Sequence, residues 1–366
     1  MPGFYALITR PQAPCLHPWA DIWVNAAGLV SCCPQNRCFW GNIHQQSVEE
    51  LWNSPKSQRV RHLVAAGQYL AAGCDKDCPY LRGVARHPEV MPPVAELINP
   101  DFDLVEDDTP YARNLRQVAA EYLVGQEELR SRPLFVDTQP VLRCNADCVM
   151  CGQPHRAPLE HSAEILQALE VLRPTANWFR WQGGEVFVSK RFFSYLRDFS
   201  APDCPHLRRY VITNGTLLNE GRVDELVQGA VPIFFLLSID GVRRETYAAI
   251  RRKLDYDRAW ATLKYLASVQ RHYGRRLVCW NYVVMRSTLD EVAEAIDIAD
   301  ELGVDLNLAP IQGEYPTENI FLHPGLAGPD LSEMLQRLEA RVRQARVRVS
   351  GFAGLRFRLS ARQDVG

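Results

Sequence analysis

The sequence predicts an α/β protein in which a partial (β/α)6 barrel follows a small cysteine-rich module. Between about residues 133 and 318, short apolar stretches typical of buried strands alternate six times with longer stretches of helical periodicity. Six of the eleven cysteines lie ahead of this repeat. Because strands joined by helices in this way run parallel, we expect the functional side chains at the carboxyl ends of the strands.

The totals are typical of a soluble enzyme. The chain has 366 residues, of which 47% are hydrophobic and 23% charged, enough to bury a sizeable core. It has no run of the roughly eighteen apolar residues that spans a bilayer, and its start lacks the features of a signal peptide. A formal net charge of −2 provides no electrostatic footprint for nucleic acid or an anionic membrane. We therefore expect a cytoplasmic protein that binds neither.

The amino-terminal module is predicted over residues 1–82. Apolar residues alternate on both sides of a turn at Gly28, which indicates a hairpin. Ser47 and a glutamate three residues later, Glu50, form a capping-box pattern that begins a helix. Short strands and one helix are expected here.

Three further segments follow. Residues 83–132 contain a proline-rich acidic stretch, which indicates a linker, and then a helix over about 110–130. The barrel is predicted over 133–318. Residues 319–366 form a carboxy-terminal extension with an arginine-rich helix.

The central cysteines stand in the stretch "CNADCVMCGQP". Cys144, Cys148 and Cys151 supply three thiolates, one fewer than a closed structural metal site uses. Their spacing suits a cubane iron–sulfur cluster whose fourth iron stays open to another ligand. Zinc would need a distant fourth ligand such as His155 or Cys204, and three inert buried thiols are a further alternative.

This spacing, directly after the first predicted barrel strand, resembles the cluster motif of the radical S-adenosylmethionine (SAM) enzymes. In that family the open iron binds the amino and carboxylate groups of SAM, and an electron from the cluster cleaves SAM to a 5′-deoxyadenosyl radical. The resemblance implies SAM and a [4Fe–4S] cluster as cofactors, and an external electron donor such as a flavodoxin or ferredoxin. Met150 departs from the pattern, since the family usually has an aromatic residue there.

Three later segments resemble the same family in the expected order. They are "QGGEVF" after the second barrel strand, "ITNGTLL" after the third and "LSIDG" after the fourth. The resemblance implies contacts to SAM from Gly183, Gly184, Glu185, Asn214, Ser238 and Asp240. Each segment alone is also an ordinary turn pattern, and it is their order at strand ends that favours the family.

The amino-terminal cysteines resemble the SPASM domain, or its one-cluster form called twitch, which holds an auxiliary [4Fe–4S] cluster. The match implies a second cluster with the ligands Cys15, Cys33, Cys74 and Cys78. Cys32 competes with Cys33, and Cys38 is spare. Here the module precedes the barrel, whereas in the family it usually follows. A zinc ribbon is the rival interpretation, and a non-catalytic scaffold with zinc at both cysteine groups is a hypothesis of a different class.

Three radical reactions are consistent with the resemblance. We expect epimerisation of a sugar or aminocyclitol natural product, in which a protein thiol returns the hydrogen and the auxiliary cluster helps to regenerate that thiol. Oxidation of an alcohol, with the auxiliary cluster as electron acceptor, is the first alternative. Peptide maturation is the second, and it is less favoured because no leader-binding module is evident.

Cys279 is the candidate hydrogen donor. It lies two residues before Asn281 in a predicted strand, so both side chains point to one face. If that face lines the lumen, the thiol lines it too. The alternative is a small core cysteine packed against a helix.

Substrate contacts are expected from the loop after the sixth barrel strand, "PIQGEYPTENIF", which the barrel places at its mouth. The candidates are Gln312, Glu314, Tyr315 and Asn319. They are also ordinary loop residues, since loops are polar in any case. His155 and Arg156 are further candidates for contact with substrate.

Overall fold

The computed structural model describes residues 15–76, 78, 81, 108–153 and 157–360. Most of the predicted linker, together with His155 and Arg156, lies outside the described residues. No helix among the described residues is long and apolar enough to cross a membrane.

Ten strands of the described chain form a single sheet in the order β10-β9-β8-β7-β6-β5-β4-β1-β2-β3. Their bounds are β1 Asp21–Val24, β2 Leu29–Ser31, β3 Gly41–Asn42, β4 Phe135–Val141, β5 Trp178–Gly183, β6 Arg208–Thr213, β7 Ile233–Ser238, β8 Val278–Val284, β9 Asp305–Pro310 and β10 Val349–Ser350.

Strands β4 to β9 are parallel neighbours in chain order. Helices separate them, which confirms the six-unit βα repeat. The main helices are α1 His17–Ala20, α2 Val48–Trp52, α3 Pro55–Ala65, α4 Pro110–Val124, α5 Ala163–Leu169, α6 Lys190–Asp198, α7 Glu220–Val227, α8 Arg244–Ile250, α9 Tyr256–Tyr273, α10 Val292–Leu302, α11 Leu331–Gln344 and α12 Phe352–Ser360.

Helix ends follow local sequence signals. The capping box at α2 is confirmed, since the Ser47 side chain accepts from the Glu50 amide and the Glu50 carboxylate accepts from the Ser47 amide. Helix α4 is shorter than predicted because Gly125 takes a left-handed conformation with φ 67° and ends it. The arginine-rich helix α11 ends at Gln344, and the chain then adds strand β10 beside β9.

The two faces of the barrel strands differ in burial. Side chains on the outer face, such as Phe235, Trp280 and Leu306, are fully buried against the helices. Several on the inner face, including Leu236 and Asn281, keep partial exposure. The barrel therefore encloses a lumen that solvent reaches.

Helix α4 covers one end of this lumen. Its residues Tyr111 and Leu115 form a second, smaller core with Phe135, Trp178 and Tyr210, which lie at or near the amino ends of their strands. The lumen is thus filled at the amino ends of the strands and polar further along.

The amino-terminal module continues the barrel sheet. Strand β1 pairs parallel with β4, from Asp21 opposite Phe135 to Val24 opposite Thr138. Strands β1 and β2 form the predicted antiparallel hairpin, whose turn contains Gly28 with φ 79°. The predicted accessory module therefore shares one sheet with the barrel.

A buried arginine fastens the module to the segment before β4. Arg61 is fully buried, and its guanidinium donates to the carbonyl oxygens of Pro18, Trp52 and Glu127 at 2.7–2.8 Å. It also lies over the Trp52 ring. One side chain therefore joins three separate segments of the chain.

Candidate functional site

The segment directly after β4, residues 142–153, is named the cysteine loop. It presents Cys144, Cys148 and Cys151, all partly exposed. Burial raises the pKa of Cys144 to about 11, with further contributions from negative charge on Glu185, Cys148 and Cys151. The three thiols thus share one short loop, and their binding of a cluster stays a prediction.

The backbone at the end of α8 and in the turn after it is hydrogen-bonded to the cysteine loop. The amide of Asp147 donates to the Arg252 carbonyl, and the amide of Val149 donates to the Ile250 carbonyl, both at 3.1 Å. This turn contains Lys253, with φ 68°, the sole non-glycine residue at positive φ among the described residues. A strained residue kept at such a place points to a functional constraint.

Arg251, in the same turn, connects a buried carboxylate to a loop cysteine. Its Nε and Nη2 lie 2.7 and 2.6 Å from Oδ2 of Asp240, and its Nη1 donates to Cys148 Sγ at 3.7 Å. Asp240 is fully buried and also accepts from the amide of Val283 at 2.7 Å. The carboxylate expected to contact SAM is thus directed at Arg251, which the sequence-based interpretation missed.

Gly183 and Gly184 are needed for close packing against the cysteine loop. Gly183 has φ 132°, which favours glycine. A Cβ on Gly184 would lie 2.3 Å from the carbonyl oxygens of Leu142 and Arg143. The glycines therefore let the end of β5 meet the end of β4, which is a second role beside the one that the resemblance implies.

Glu185 joins the ends of β5 and β6. Its side chain is 1% exposed. The carboxylate accepts from the Thr213 hydroxyl and the Asn214 amide, each at 2.8 Å, and from the Phe187 amide at 3.2 Å. Burial raises its pKa, whereas these three donors lower it. The structure thus gives the carboxylate protein partners close to Cys144.

Asn214 ties β6 to the cysteine loop. Its amide nitrogen donates to Asn145 Oδ1 at 2.9 Å, and its own Oδ1 accepts from the hydroxyl and amide of Thr216. Asn145 lies between two of the cysteines and was not among the predicted residues. Ser238 lies at the carboxyl end of β7, 7% exposed, opposite Asn281 of β8.

The amino-terminal cysteines also converge. Burial raises the pKa of Cys15, with further contributions from Cys33, Cys78 and Cys74. A hydrogen bond from Cys32 lowers the pKa of Cys33 to about 7. Cys32 is 2% exposed, whereas Cys33 is partly exposed. Cys33 is therefore the more accessible of the two thiols, and its place among the cluster ligands stays a prediction.

Asn36 organises the same region. It is 1% exposed, and its amide nitrogen lies 3.0 Å from the Ala72 carbonyl and 3.7 Å from Cys74 Sγ. Its Oδ1 accepts from the amide of Cys38 at 2.8 Å. A single buried amide thus links two cysteine-bearing segments, and Cys38 lies beside the group rather than apart from it.

A partly buried pair, His17 and Asp21, lies between Cys15 and strand β1. His17 Nδ1 lies 3.0 Å from Asp21 Oδ1. Burial lowers the pKa of His17, but Asp21 and Cys33 outweigh it and raise the value to about 9. The positive charge of Arg180 contributes to lowering the pKa of both His17 and Asp21.

Asp137 and Arg180 continue this pair on the inner face of the barrel. Asp137 of β4 is 2% exposed and accepts from Arg180 and, at 2.8 Å, from Gln182, both on β5. Charged residues that interrupt the apolar strands "FVDTQPV" and "WFRWQG" were the signal that sequence reasoning missed. Together with Asp21 they form a polar wall between the cysteine group and the lumen.

Cys279 lies near the amino end of β8, whereas the cysteine loop follows the carboxyl end of β4. It shares the inner face of β8 with Asn281, as expected, but it is the second residue of the strand, opposite Asp305. It is 9% exposed, and burial raises its pKa to about 12. Val283, whose amide reaches Asp240, lies four residues further on, about 13 Å along the strand.

Of the predicted substrate loop, Tyr315 comes nearest to the cysteine loop. Its hydroxyl lies 3.7 Å from where a Cβ on Gly152 would stand, and negative charge on Cys151 contributes, after burial, to raising its pKa. Gln312 is exposed and accepts from Gln35 of the amino-terminal module at 3.4 Å. The module therefore reaches the mouth of the barrel.

Asn319 organises the loop itself. It is 2% exposed, donates to the Gly313 carbonyl and accepts from the amides of Phe321 and Leu322. Its polar atoms thus have partners within the loop. Glu314 is exposed at the tip.

The donor sets fit iron–sulfur clusters. Thiolates are the ligands such clusters use, and three cysteines converge in the loop and four in the module. Among the described residues, no three His, Cys, Asp or Glu side chains stand ready to hold one metal ion. A four-iron cluster does not require that arrangement, because each thiolate binds a different iron.

Two family models match the chain. Residues 138–308 match the radical SAM superfamily, and residues 15–79 match SPASM, an iron–sulfur cluster-binding domain. The chain therefore belongs to the radical SAM enzymes with a SPASM domain, here ahead of the barrel. Its cofactors are SAM and [4Fe–4S] clusters, as the resemblance implied.

Known relatives are distant. The chain is 22% identical over 246 residues to the molybdenum cofactor biosynthesis protein moc-5 of Caenorhabditis elegans, and the match covers 63% of this chain and 40% of that protein. Streptococcus suis SuiB has a TM-score of 0.49 at 16% identity, covering 81% of this chain and 64% of that one. A solved anSMEcpe with bound AdoMet and a Cp18Cys peptide has a TM-score of 0.46 at 20% identity, covering 60% and 63%. The chain thus spans less than two thirds of each relative.

Proposed function

We propose that this enzyme oxidises a small polar molecule, a sugar or aminocyclitol, held in the barrel lumen. Cys144, Cys148 and Cys151 would hold the cluster that, with SAM, would supply a radical able to remove a hydrogen atom from the substrate. Cys15, Cys33, Cys74 and Cys78 would hold the cluster that would supply an acceptor for the second electron, while the accompanying proton would be lost to solvent. The protein's part is to hold the substrate between the two cysteine groups.

The observation that supports oxidation is the short path from the module to the lumen. His17, two residues after Cys15, lies 3.0 Å from Asp21, and Asp21 begins β1 opposite Phe135 of β4. Because β1 and β4 are hydrogen-bonded neighbours, this path runs within one continuous wall. An electron acceptor in the module would therefore lie next to the substrate cavity.

The lining of the lumen supports a polar substrate. Asp137, Arg180 and Gln182 form one polar group, and across the sheet Asn307 donates to Asn281 at 2.7 Å. Such groups bind hydroxyl and amino groups well, because the site's buried polar atoms then gain partners. A peptide offers amides to the same groups and is the alternative for the substrate.

Epimerisation is the second candidate. Cys279 does line the inner face, as a hydrogen donor must. Its place near the amino end of β8, about 13 Å of strand from the level of Val283, favours oxidation instead. A thiol with a pKa of about 12 stays protonated, as a hydrogen donor requires. It is therefore the position of Cys279, and not its protonation state, that disfavours epimerisation.

The test follows the mass of the product in D2O with anaerobically reconstituted enzyme, SAM and a chemical reductant. Low-molecular-weight fractions of an extract are added to the enzyme, and the fractions that increase the formation of 5′-deoxyadenosine are identified. We expect a protease-resistant fraction to stimulate it, a product two hydrogens lighter than the substrate, and no deuterium at the reacting carbon. We also expect Cys279→Ala to keep full turnover.

Cys204→Ala is the matched control, because Cys204 is equally buried and lies outside the barrel strands. A product one mass unit heavier than the substrate, with deuterium at the reacting carbon, together with Cys279→Ala stalled and Cys204→Ala active, would establish the epimerase. A protease-sensitive stimulant would establish a peptide substrate. Zinc in place of iron in the reconstituted protein would support the scaffold hypothesis.

A further inference from the structure

We infer that Arg251 is a positioning residue that holds Cys148 and sets the reduction potential of the SAM-binding cluster. This inference rests on the proposed radical chemistry. It comes from the contact between the Arg251 guanidinium and Cys148 Sγ, for which neither the family matches nor the motif residues account.

Asp240 holds the guanidinium in place. Two of its nitrogens lie within 2.7 Å of one carboxylate oxygen of Asp240, and the other oxygen of Asp240 is fixed by the amide of Val283. Asp240 is fully buried, and the Arg251 side chain is 12% exposed. The third nitrogen is therefore left to point at Cys148, at 3.7 Å.

The backbone of the same turn supports this contact. Ile250 and Arg252 offer their carbonyls to the amides on either side of Cys148. Lys253 then takes a left-handed conformation that costs a non-glycine residue on the order of 1 kcal/mol. The chain accepts this strain where it brings the turn against the cysteine loop.

The chemical consequence concerns reduction. An iron–sulfur cluster gains negative charge when it takes up an electron, and hydrogen bonds to its sulfurs are among the factors that set its potential. A fixed cationic donor on Cys148 stabilises the reduced form and makes the potential less negative. Loss of that donor makes the cluster harder to reduce.

The test compares Arg251→Met with Arg252→Met, a neighbouring arginine that is exposed and whose carbonyl is retained. Both are reconstituted anaerobically as full chains. Iron and sulfide are measured, and the signal that changes on addition of SAM is followed by electron paramagnetic resonance during a reductive titration. We expect Arg251→Met to shift to a more negative midpoint. A tenfold fall in the reduced-to-oxidised ratio corresponds to 59 mV for one electron. Arg252→Met should match the wild type.

Arg251→Lys covers the case in which Arg251→Met loses iron. Lysine keeps the positive charge but lacks the two guanidinium nitrogens that bind Asp240. We therefore expect a full iron content and a smaller negative shift of the midpoint potential. A midpoint equal to wild type in an arginine variant with full iron would overturn the inference and leave the proposed function intact. A wild-type protein without a SAM-responsive signal would overturn both.

Discussion

At the scale of single residues, the site depends on two carboxylates whose oxygens accept hydrogen bonds from the protein itself. Glu185 accepts three hydrogen bonds and Asp240 accepts from Arg251 and Val283, so both connect strand ends around the cysteine loop. Buried charges are tolerated when they are hydrogen-bonded in this way. Their first effect is to fix the geometry in which the cysteines stand.

Glu185→Gln tests this role. The substitution puts an amide NH2 where the carboxylate accepted from the Asn214 amide or from Thr213, so one buried donor loses its partner. We expect a loss of about 1–3 kcal/mol in the free energy of unfolding, measured by denaturant titration of the cluster-free protein. Glu301→Gln, at an exposed helix position, is the control. Equal stability of the two variants would contradict the connecting role.

His161 gives the fold a predictable response to acid. It is 1% exposed, its Nε2 donates to the Asn25 carbonyl at 2.8 Å, and burial lowers its pKa to about 4. An unfolded histidine titrates near 6.5, so between these values the unfolded state binds more protons. Stability is therefore fully present above about pH 6.5 and decreases as the pH falls toward 4, by up to about 3 kcal/mol.

The measurement is the free energy of unfolding at pH 7 and pH 5 for wild type and His161→Gln. Glutamine can still donate to the Asn25 carbonyl but does not titrate. We expect the wild type to lose more stability than the variant over this interval. The same pH dependence in both proteins would show that another group is responsible.

The sequence identified single residues unevenly. The two cysteine groups could be proposed from sequence because their spacing is local, whereas the difference in exposure between Cys32 and Cys33 is visible only in the structure. Arg251 could not be found from sequence, since its role depends on Asp240, eleven residues away, and on Cys148, more than one hundred residues away. Strand alternation alone predicts the face on which Cys279 lies, but its height along the strand depends on where β8 begins.

At the scale of elements, the turn between α8 and α9 is the support of the cysteine loop. The carbonyls of Ile250 and Arg252 accept from the loop's backbone amides, and Lys253 closes the turn with φ 68°. The ion pair of Lys253 with Asp147, at 3.3 Å, is half exposed and contributes little. Backbone strain is therefore the larger effect at this position.

Lys253→Gly should stabilise the protein, because glycine takes this conformation without a Cβ clash. We expect a gain of up to about 1 kcal/mol in the free energy of unfolding. Lys264→Gly, at an exposed position inside α9, should instead lose about 1 kcal/mol. Two substitutions of the same chemistry thus have opposite expected signs. A loss at Lys253 as well would mean that its side chain matters more than its backbone.

Elements were the best predicted level of this protein. Six strands and their helices follow from apolar periodicity, and the hairpin at Gly28 and the cap at Ser47 follow from local turn and capping chemistry. The end of α4 at Gly125 was missed, although glycine at such a position is a stop signal.

At the scale of the whole molecule, the module and the barrel are one structure. The pairing of β1 with β4, the contact of Gln35 with Gln312 and the carbonyl of Asn25 held by His161 join them at three places. Sequence could not predict this, because strand pairing between distant segments leaves no local pattern. Spacing predicted the cysteine groups, but only the shared sheet brings them to the same lumen.

The pairing of β1 with β4 also has a consequence for synthesis. Asp21 finds its partner Phe135 more than one hundred residues later in the chain. At roughly 5–20 residues per second on the ribosome, that delay is on the order of ten seconds. During this delay the hairpin of β1 and β2 can form, but the edge of β1 that later pairs with β4 has no partner strand. The cysteines of the module thus emerge long before the wall that is to surround them, and their final arrangement waits for the first strand of the barrel.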